Sequence, residues 1–188
     1  STKDTLNGIL NIVFTKGKYL MGHQIVVLQN DIRHNLNRIF QDICIERGII
    51  RKEPFWRIGK NAYHIGSKIT FLENYNKPIK HPIKKNVEIV SDVISNGETG
   101  IIVSVYTYDH LFYVTFVDND DPSATKKVIR KSVIIGTEIG VKPFHIDLGY
   151  ATTTTKVQGR EFPYCIFWNN TNPAPCWTRS HAYVALSR

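Results

Sequence analysis

The sequence predicts an α/β fold in which a parallel-sheet domain carries an inserted small antiparallel β-barrel. The first indication is a β-branched apolar run at 24–28 that passes through a polar turn into an amphipathic segment, as a strand followed by a helix would. The second is a set of short alternating segments, bounded by turn residues, between 66 and 143. The third is a return, at 144–168, to a pattern of strand, polar turn, short helix and strand.

Composition and charge limit the class of protein. The 188 residues suffice for one ordinary domain or for a core domain with a small insertion, and 42% hydrophobic with 21% charged residues is typical of globular chains. A formal net charge of +8 favours a polyanionic partner, although many basic proteins bind none. The three cysteines follow no disulfide spacing and no signal peptide is evident. We therefore expect an intracellular protein, with the nucleus, the cytoplasm and a viral replication site left open.

The amino-terminal region is expected to form a helix, a buried strand and a second helix. The first helix covers 5–14, where apolar side chains recur on one helical face. The strand at 24–28 leads through Gln29-Asn30-Asp31 into a helix that ends near Gly48. The predicted apolar face of this second helix contains Leu36, Ile39, Phe40, Ile43 and Cys44.

The middle of the chain is expected to be antiparallel. Predicted strands cover 68–72, 99–108 and 111–117, and one or two further strands are expected within 128–135. Between the second and third of them, Asp109-His110 indicates a tight hairpin. The connection between the first and second of these strands is basic, and its prolines make it irregular. It contains Lys77, Pro78, Lys80, Pro82, Lys84 and Lys85. The aromatic residues of the hairpin fill a small barrel, pack on one another across the strands, or stack on bases; they are Tyr106, Tyr108, Phe112 and Tyr113.

Four consecutive threonines at 152–155 follow an apolar, β-prone approach at 144–148, and chemistry is expected at the carboxyl end of this approach. One threonine hydroxyl can cap a helix while others, with the amides of its first turn, face outward, which suits phosphate oxygens. Gln158-Gly159 follows: the glycine lets a ligand approach the backbone, and the glutamine amide both donates and accepts hydrogen bonds. The alternative is a threonine-rich strand edge beside a solvated Lys156.

Three segments together resemble a known family. YATTTTKVQGREF at 150–162 resembles motif V of superfamily 1 helicases, and AYVALSR at 182–188 resembles motif VI in the form used by the RecD, Dda and Pif branch. IGSKI at 65–69 and NGETGII at 96–102 are similar to the stretch that opens the small β-barrel inserted in the second RecA-like domain of this branch. The matches occur in the family's order and span most of the chain.

The resemblance implies a domain organisation and a function. Residues 1–65 and 144–188 would form the second RecA-like motor domain, and 66–143 would form an inserted barrel resembling the Src-homology type. The chain would be the carboxyl-terminal motor part of an ATP-dependent helicase that moves 5′ to 3′ on DNA. In relatives, the inserted barrel guides single-stranded DNA or the strand fork.

The resemblance also implies a nucleotide site. Arg188 matches the arginine that reaches the γ-phosphate bound by the first RecA-like domain, where a guanidinium stabilises the charge that develops in phosphoryl transfer. Glu161 matches the glutamate that accepts a hydrogen bond from the ribose. Gln158 and Gly159 match the pair that links the nucleotide state to the grip on the strand. The expected catalytic residues are thus Arg188 and Gln158, and the expected nucleotide-binding residues are Gly159, Glu161 and Arg188.

A nucleic-acid site is implied beside it. Thr154, Thr155 and Lys156 of motif V would contact the backbone of single-stranded nucleic acid together with Gln29 and Asn30, whose turn resembles motif IV. This chain departs from the family pattern, which usually has histidine at the position of Thr155 and often serine at that of Val157. A phosphate contact survives the change at 155, whereas the base contact of the histidine does not.

Two residues of the helix predicted after the Gln29-Asn30-Asp31 turn have more than one interpretation. Asn37 resembles an asparagine of relatives, or it is a solvated residue of a plain strand-helix unit. Arg33 lies near the position of a phosphate-binding arginine in some relatives, but its register fits poorly.

Cofactors and partners follow from what the sequence contains. It has no G-x-x-x-x-G-K-[ST] phosphate loop and no acidic magnesium-binding pair, so ATP and Mg²⁺ are expected to be bound mainly by a first RecA-like domain of the same polypeptide. No metal-ligand spacing or nucleophile motif occurs. The expected partners are single-stranded DNA or RNA and possible replication proteins, with no membrane. Frequent Ile, Lys and Asn would suit an AT-rich genome such as that of a large DNA virus or a parasite.

Three alternatives stay open. The sequence QGRE at 158–161 also resembles the corresponding motif of the Upf-type RNA helicases. A non-enzymatic single-strand-binding module and a purely structural interaction domain are the other two, and the last leaves the order of the motifs unexplained.

Overall fold

The computed structural model describes residues 1–14, 23–89, 92–118, 130–156, 162 and 164–168. Within these residues the chain forms two α-helices, twelve β-strands and one short 3-10 helix (Thr154–Lys156). In chain order the helices and strands are α1 (Thr2–Phe14), β1 (His23–Val27), α2 (Asn30–Glu46), β2 (Trp56–Ile58), β3 (Asn61–Tyr63), β4 (Lys68–Phe71), β5 (Ile79–Lys80), β6 (Glu88–Ile89), β7 (Thr99–Tyr108), β8 (Leu111–Asp118), β9 (Arg130–Thr137), β10 (Ile146–Leu148), β11 (Ala151–Thr153) and β12 (Tyr164–Phe167).

A parallel sheet of three strands forms around β1, in the order β11-β1-β12. Ile25 of β1 lies opposite Ala151 on one side and opposite Ile166 on the other. Ile25, Val26 and Val27 are all buried, as the central strand of a parallel sheet requires because both of its faces are covered. The predicted strand at 24–28 and the predicted parallel sheet are therefore confirmed.

Both predicted helices are also present. Leu6 and Leu10 of α1 lie about one helical turn apart and are fully buried, and the Ser1 hydroxyl accepts a hydrogen bond from the Asp4 backbone N–H at the start of the helix. The helix α2 ends two residues before Gly48, whose φ of +69° is the left-handed conformation typical of a glycine after a helix. Four of the five apolar side chains predicted for α2 are buried: Leu36, Phe40, Ile43 and Cys44.

The second sheet has five antiparallel strands in the order β10-β4-β7-β8-β9. Strands β7 and β8 are joined by Asp109 and His110 with φ values of +51° and +61°, which is the backbone of a tight type I′ hairpin turn. The predicted hairpin is therefore confirmed. Phe71 and Phe116 pack with ring centroids 5.2 Å apart in the core beneath this sheet.

The predicted barrel would require this sheet to close on itself. Among the described strands, β9 and β10 are the two edges of the sheet, and no ladder joins them. The antiparallel insertion is thus present as an open sheet, and its closure into a barrel stays a prediction.

The chain packs as two compact units. One contains Ser1–Ile43 and the chain from Tyr150 onward; the other contains Cys44–Gly149. The predicted domain bounds describe where an insertion begins and ends in the sequence, which is a different question from which residues pack together. Those bounds therefore stay a prediction.

The strand that leads into the threonine run differs from the one expected. The apolar approach at 144–148 forms β10, which pairs antiparallel with β4 in the second sheet. The strand of the parallel sheet is β11, which itself contains Thr152 and Thr153. The chain leaves the second sheet at Gly149, where a Cβ would lie 2.8 Å from the Ile69 carbonyl carbon, so only glycine fits this close crossing.

Two small antiparallel pairs were not predicted: the β2–β3 hairpin and the β5–β6 hairpin. No helix in the described part of the chain combines the length and the apolar character that crossing a membrane would require.

Candidate nucleic-acid interface

The carboxyl ends of β1 and β11 lie side by side. Val27 is opposite Thr153 in the parallel register, so the residues that follow the two strands emerge at the same edge of the sheet. After β1 come Gln29 and Asn30, and after β11 comes the 3-10 helix of Thr154, Thr155 and Lys156. All five residues predicted to bind nucleic acid are thereby brought to one edge, which we call the threonine edge.

The side chains of the threonine edge differ in exposure. Gln29, Asn30, Thr155 and Lys156 are exposed, whereas Thr154 is only 3% exposed. Any contact between Thr154 and a ligand is therefore expected to come from its backbone. The exposed members provide an amide pair, a hydroxyl and an ammonium group, which are donors suited to phosphate oxygens.

A hydroxyl pair positions Thr155. Its Oγ1 lies 3.1 Å from Oγ1 of Thr153, whose side chain is buried at the end of β11. Either oxygen can be the donor, and when Thr153 donates, the proton of Thr155 is directed to another acceptor. The buried threonine thus limits the orientations of the exposed one.

Arg33 holds the turn that begins α2. Its backbone N–H donates to the Gln29 carbonyl at 3.0 Å, and its Nε donates to Oδ1 of Asn30 at 3.3 Å. Its Nη2 donates to Nε2 of His34 at 2.9 Å; because a guanidinium only donates, that imidazole nitrogen must accept. Arg33 is 4% exposed, so its contacts are structural, and direct phosphate binding by Arg33 is not supported.

Asn37 joins α2 to β11. Its Oδ1 accepts a hydrogen bond from the Ala151 N–H at 2.6 Å, and its Nδ2 donates to the Ala151 carbonyl at 3.2 Å. Asn37 is 1% exposed, so the alternative of a solvated asparagine is wrong. The side-chain amide of Asn37 thus makes the two backbone hydrogen bonds that a further strand would make with Ala151 on the outer side of β11. This contact fixes the position of β11, from whose end the threonine edge begins.

The contact between Asn37 and Ala151 was not predicted, although the sequence contains a signal for it. The residue lies next to Leu36 and three positions before Phe40, both of which are buried core residues. A polar side chain on an apolar helical face has to find buried partners, and a backbone edge offers them.

The charges at the threonine edge are few. Lys156 is an exposed cation in the 3-10 helix, and Asp31 is an exposed carboxylate in the first turn of α2. The carboxylate of Asp31 suits the positive end of the helix dipole and would repel a phosphate.

The remaining predicted site residues are not in the described part of the chain. Gln158, Gly159, Glu161 and Arg188 lie outside the described residues, and their roles stay predictions. Within the described ranges, no three His, Cys, Asp or Glu side chains cluster in a way that could hold a metal ion. Burial raises the pKa of the Cys165 thiol in β12, which keeps that thiol protonated at neutral pH.

The fold is similar to that of a solved helicase structure, and a second solved helicase also matches the chain. A Pif1 helicase from Candida albicans matches 98% of this chain over 47% of its own length, with 12% identity and a TM-score of 0.51. A Pif1 helicase from Bacteroides, solved in complex with ADP-AlF3 and single-stranded DNA, matches 100% of this chain over 43% of its own length, with 16% identity and a TM-score of 0.42.

The chain thus spans less than half the length of each of these two helicases. No protein-family model matches the sequence, and a search of curated proteins gives no match either. The likeness to the Candida albicans helicase shows that the mixed α/β fold of this chain, with its parallel and antiparallel sheets, is one that occurs in Pif1 helicases.

Proposed function

We propose that this chain is the carboxyl-terminal motor part of an ATP-dependent nucleic-acid helicase of superfamily 1. The observation that carries the proposal is the parallel register of β1 and β11, which gathers the threonine edge. The order of the motif-like segments and the fold shared with a Pif1 helicase support it. In this proposal the parallel sheet belongs to the second RecA-like domain, and the antiparallel sheet is its inserted barrel.

The threonine edge holds the backbone of a single strand. Lys156 supplies a point charge to a phosphate, and the hydroxyl of Thr155 and the amide of Gln29 donate hydrogen bonds to phosphate oxygens. These groups contact phosphates and sugars instead of base edges, so the grip has little sequence preference. Such a grip is what a translocating motor needs, because the strand must pass through it whatever its sequence.

ATP binds between this domain and the first RecA-like domain of the same polypeptide, which also holds Mg²⁺. From this side, Arg188 stabilises the charge on the γ-phosphate, Glu161 holds the ribose, and Gln158 with Gly159 couples the nucleotide state to the threonine edge. Closing and opening of the two domains moves the strand by steps. The proposed track is DNA, the proposed direction is 5′ to 3′, and the proposed setting is intracellular.

The test is ATP hydrolysis by the longer polypeptide that contains both RecA-like domains. Its turnover is measured with no strand, with a DNA oligonucleotide and with its RNA counterpart. We expect DNA to stimulate turnover, and Arg188→Ala to lower it by about a thousandfold or more, as the loss of an arginine finger does, while DNA binding persists. Arg57→Ala, which removes an exposed arginine of β2, is the matched control and should leave turnover unchanged.

Each other outcome selects an alternative. Stimulation by RNA and not by DNA favours the Upf-type RNA helicase. Absence of turnover with salt-sensitive strand binding intact favours a non-enzymatic binding module. Full turnover in Arg188→Ala contradicts the proposed role of this arginine.

A further inference from the structure

A buried hydroxyl contacts the exposed Thr155 of the threonine edge. Thr153, the last residue of β11, is 5% exposed and lies opposite the buried Val27 of β1. Its Oγ1 is 3.1 Å from Oγ1 of Thr155, which is close enough for a hydrogen bond. Among the described residues, neither side-chain hydroxyl has a hydrogen-bond partner other than this neighbouring threonine. The buried hydroxyl therefore depends on the exposed one.

Burial decides which of these two hydroxyls donates. A hydroxyl has one proton and two acceptor sites, and a donor that is buried without an acceptor destabilises the fold. If Thr155 donated, the proton of Thr153 would be buried without an acceptor among the described residues. If Thr153 donates, its proton is satisfied, and the proton of Thr155 is left for solvent or a ligand. The arrangement in which Thr153 donates is therefore the more stable one.

The donor is held in place by its strand. Thr153 pairs in parallel register with Val27. Two residues earlier, both backbone groups of Ala151 are bonded to the side-chain amide of Asn37. Thr153 is β-branched, so its χ1 rotamers are restricted and the position of its hydroxyl oxygen is fixed by the strand. A hydroxyl that accepts a hydrogen bond is polarised and donates more strongly in turn. Thr155 is thus an oriented donor before any ligand arrives.

From this geometry we propose that Thr153 is a positioning residue of the threonine edge and makes Thr155 an obligate hydrogen-bond donor to a phosphate of the bound strand. The hydrogen bonds then run in one direction, from Thr153 to Thr155 and from Thr155 to a phosphate oxygen. A phosphodiester has acceptor oxygens and no proton at neutral pH, so this direction matches the ligand. Thr153 does not touch the strand, because its side chain is buried. This role rests on the proposed function, in which the threonine edge grips the nucleic-acid backbone.

The contribution of Thr153 lies in what Thr155 would do without it. A free hydroxyl at an exposed position rotates and offers a phosphate either its proton or a lone pair, and the lone pair repels the phosphate. With Thr153 donating, one lone pair of Thr155 is occupied and its proton is directed to another acceptor. The exposed ammonium group of Lys156 also has donors and no acceptor. The two neighbouring side chains thus favour the same partner, an oxygen that only accepts.

The test is a binding titration of the 188-residue chain with labelled oligothymidine. Thr155→Val should bind about tenfold or more weakly, because a hydrogen bond to a charged phosphate is lost. Thr153→Val keeps the shape of the buried side chain without its hydroxyl. It should bind about threefold to tenfold more weakly, which is the loss expected for one neutral hydrogen bond. Thr153→Ser retains the hydroxyl and should bind as the parent does.

The matched control is a second hydroxyl pair of similar length. Oγ1 of Thr115 and Oγ of Ser132 lie 3.0 Å apart between β8 and β9 of the antiparallel sheet. Thr115→Val makes the same chemical change as Thr153→Val at a position outside the threonine edge. It should leave the affinity for oligothymidine unchanged.

A double substitution separates positioning from stability. In the Thr155→Val background, Thr153→Val should cause no further loss of affinity, because the hydroxyl on which Thr153 acts is already gone. A merely structural role would lower the affinity by the same factor in both backgrounds. If Thr153→Val fails to fold, Thr153→Ser and Thr153→Ala give the same comparison, since serine and alanine differ only by the hydroxyl.

Salt dependence separates this hydroxyl from the neighbouring charge. Thr153 and Thr155 are neutral, so Thr153→Val should lower the affinity by the same factor at every salt concentration. The slope of log affinity against log salt should then stay unchanged. A reduced slope would show that Thr153 acts by placing Lys156, and it would overturn the role proposed for Thr153.

The outcomes distinguish a failure of this role from a failure of the proposed grip. Unchanged binding in Thr153→Val beside weakened binding in Thr155→Val overturns the role of Thr153 and leaves the grip standing. An equal loss from Thr153→Val in both backgrounds does the same. Unchanged binding in both Thr155→Val and Lys156→Ala, or no binding by the parent chain, contradicts the grip itself, and the role of Thr153 falls with it.

Discussion

Asn37 in α2 holds both backbone hydrogen-bonding groups of Ala151 in β11 with a single side-chain amide, at 2.6 and 3.2 Å. The strand β11 is an edge of the parallel sheet, and the threonine edge begins at its carboxyl end. A helix residue thus positions the proposed strand-binding residues without being among them.

The first prediction concerns this contact. Asn37→Ala leaves the N–H and the C=O of Ala151 without their buried partner, and we expect the free energy of unfolding to fall by about 2–4 kcal/mol. Urea unfolding measures it as a lower midpoint. Asn35→Ala, at an exposed position of the same helix, should change stability by less than about 0.5 kcal/mol. Equal effects of the two substitutions would show that the amide contact does not matter.

The second prediction is a pair of glycine substitutions with opposite signs. A Cβ at Gly136 would lie 2.3 Å from Cζ2 of Trp56, whereas a Cβ at Gly8 in α1 would meet nothing within 4 Å. Gly136→Ala should lower the free energy of unfolding by about 1–3 kcal/mol through overpacking. Gly8→Ala should raise it by about 0.5–1 kcal/mol, because alanine is the better helix former.

Differential scanning calorimetry of both alanine variants checks this pair. A stable Gly136→Ala variant with an unchanged melting temperature would mean that the indole does not lie against the Gly136 backbone.

The third prediction concerns alkaline pH. Tyr63 is fully buried and stacks on Trp56 at 5.1 Å, and its hydroxyl makes no hydrogen bond of normal geometry to a described residue. Burial raises the pKa of its phenol above the usual value, the Asp147 carboxylate adds to the rise, and Asn61 opposes it. The folded chain therefore keeps this proton at a pH where the unfolded chain releases it.

The sign follows from that difference. The stability that Tyr63 contributes is complete below the unfolded pKa of about 10 and is lost above it at up to about 1.4 kcal/mol per pH unit. Tyr63→Phe keeps the ring and should lose less stability between pH 9 and about 11. Burial lowers the pKa of Lys142, which has the opposite effect on the pH slope, but Lys142 is present in both proteins. Parallel pH curves for the parent and Tyr63→Phe would contradict the prediction.

Regular elements with strong local signals could be predicted from the sequence. The β-branched run of β1 favours a strand and the turn at Asp109-His110 favours a tight hairpin, and the structure has both. The same holds for the stop of α2 at Gly48.

Pairing between distant segments could not be predicted in the same way. The approach at 144–148 and the threonine strand are both β-prone, and their local sequence does not tell that β10 pairs with β4 while β11 pairs with β1. The β2–β3 hairpin was missed because its strands are three residues long and contain Arg57 and Asn61, which are not typical of strands. At the site, Thr155 and Lys156 are exposed as expected, but Thr153 and Thr154 are buried, so the expectation that most of the threonine run faces outward is wrong. The buried partner that anchors the run, Asn37, depends on a contact across 114 positions of sequence.

The most direct test of the central proposal is the salt dependence of single-stranded DNA binding by the 188-residue chain, its Lys156→Ala variant and its Lys60→Ala variant. Lys60 is an exposed lysine of the β2–β3 turn, far in sequence from the threonine edge, and serves as the charge-matched control. If Lys156 binds a phosphate, its substitution should reduce the slope of log affinity against log salt by about 0.7, and Lys60→Ala should leave it unchanged. Identical slopes for all three proteins would contradict the account of the threonine edge as a grip on the nucleic-acid backbone.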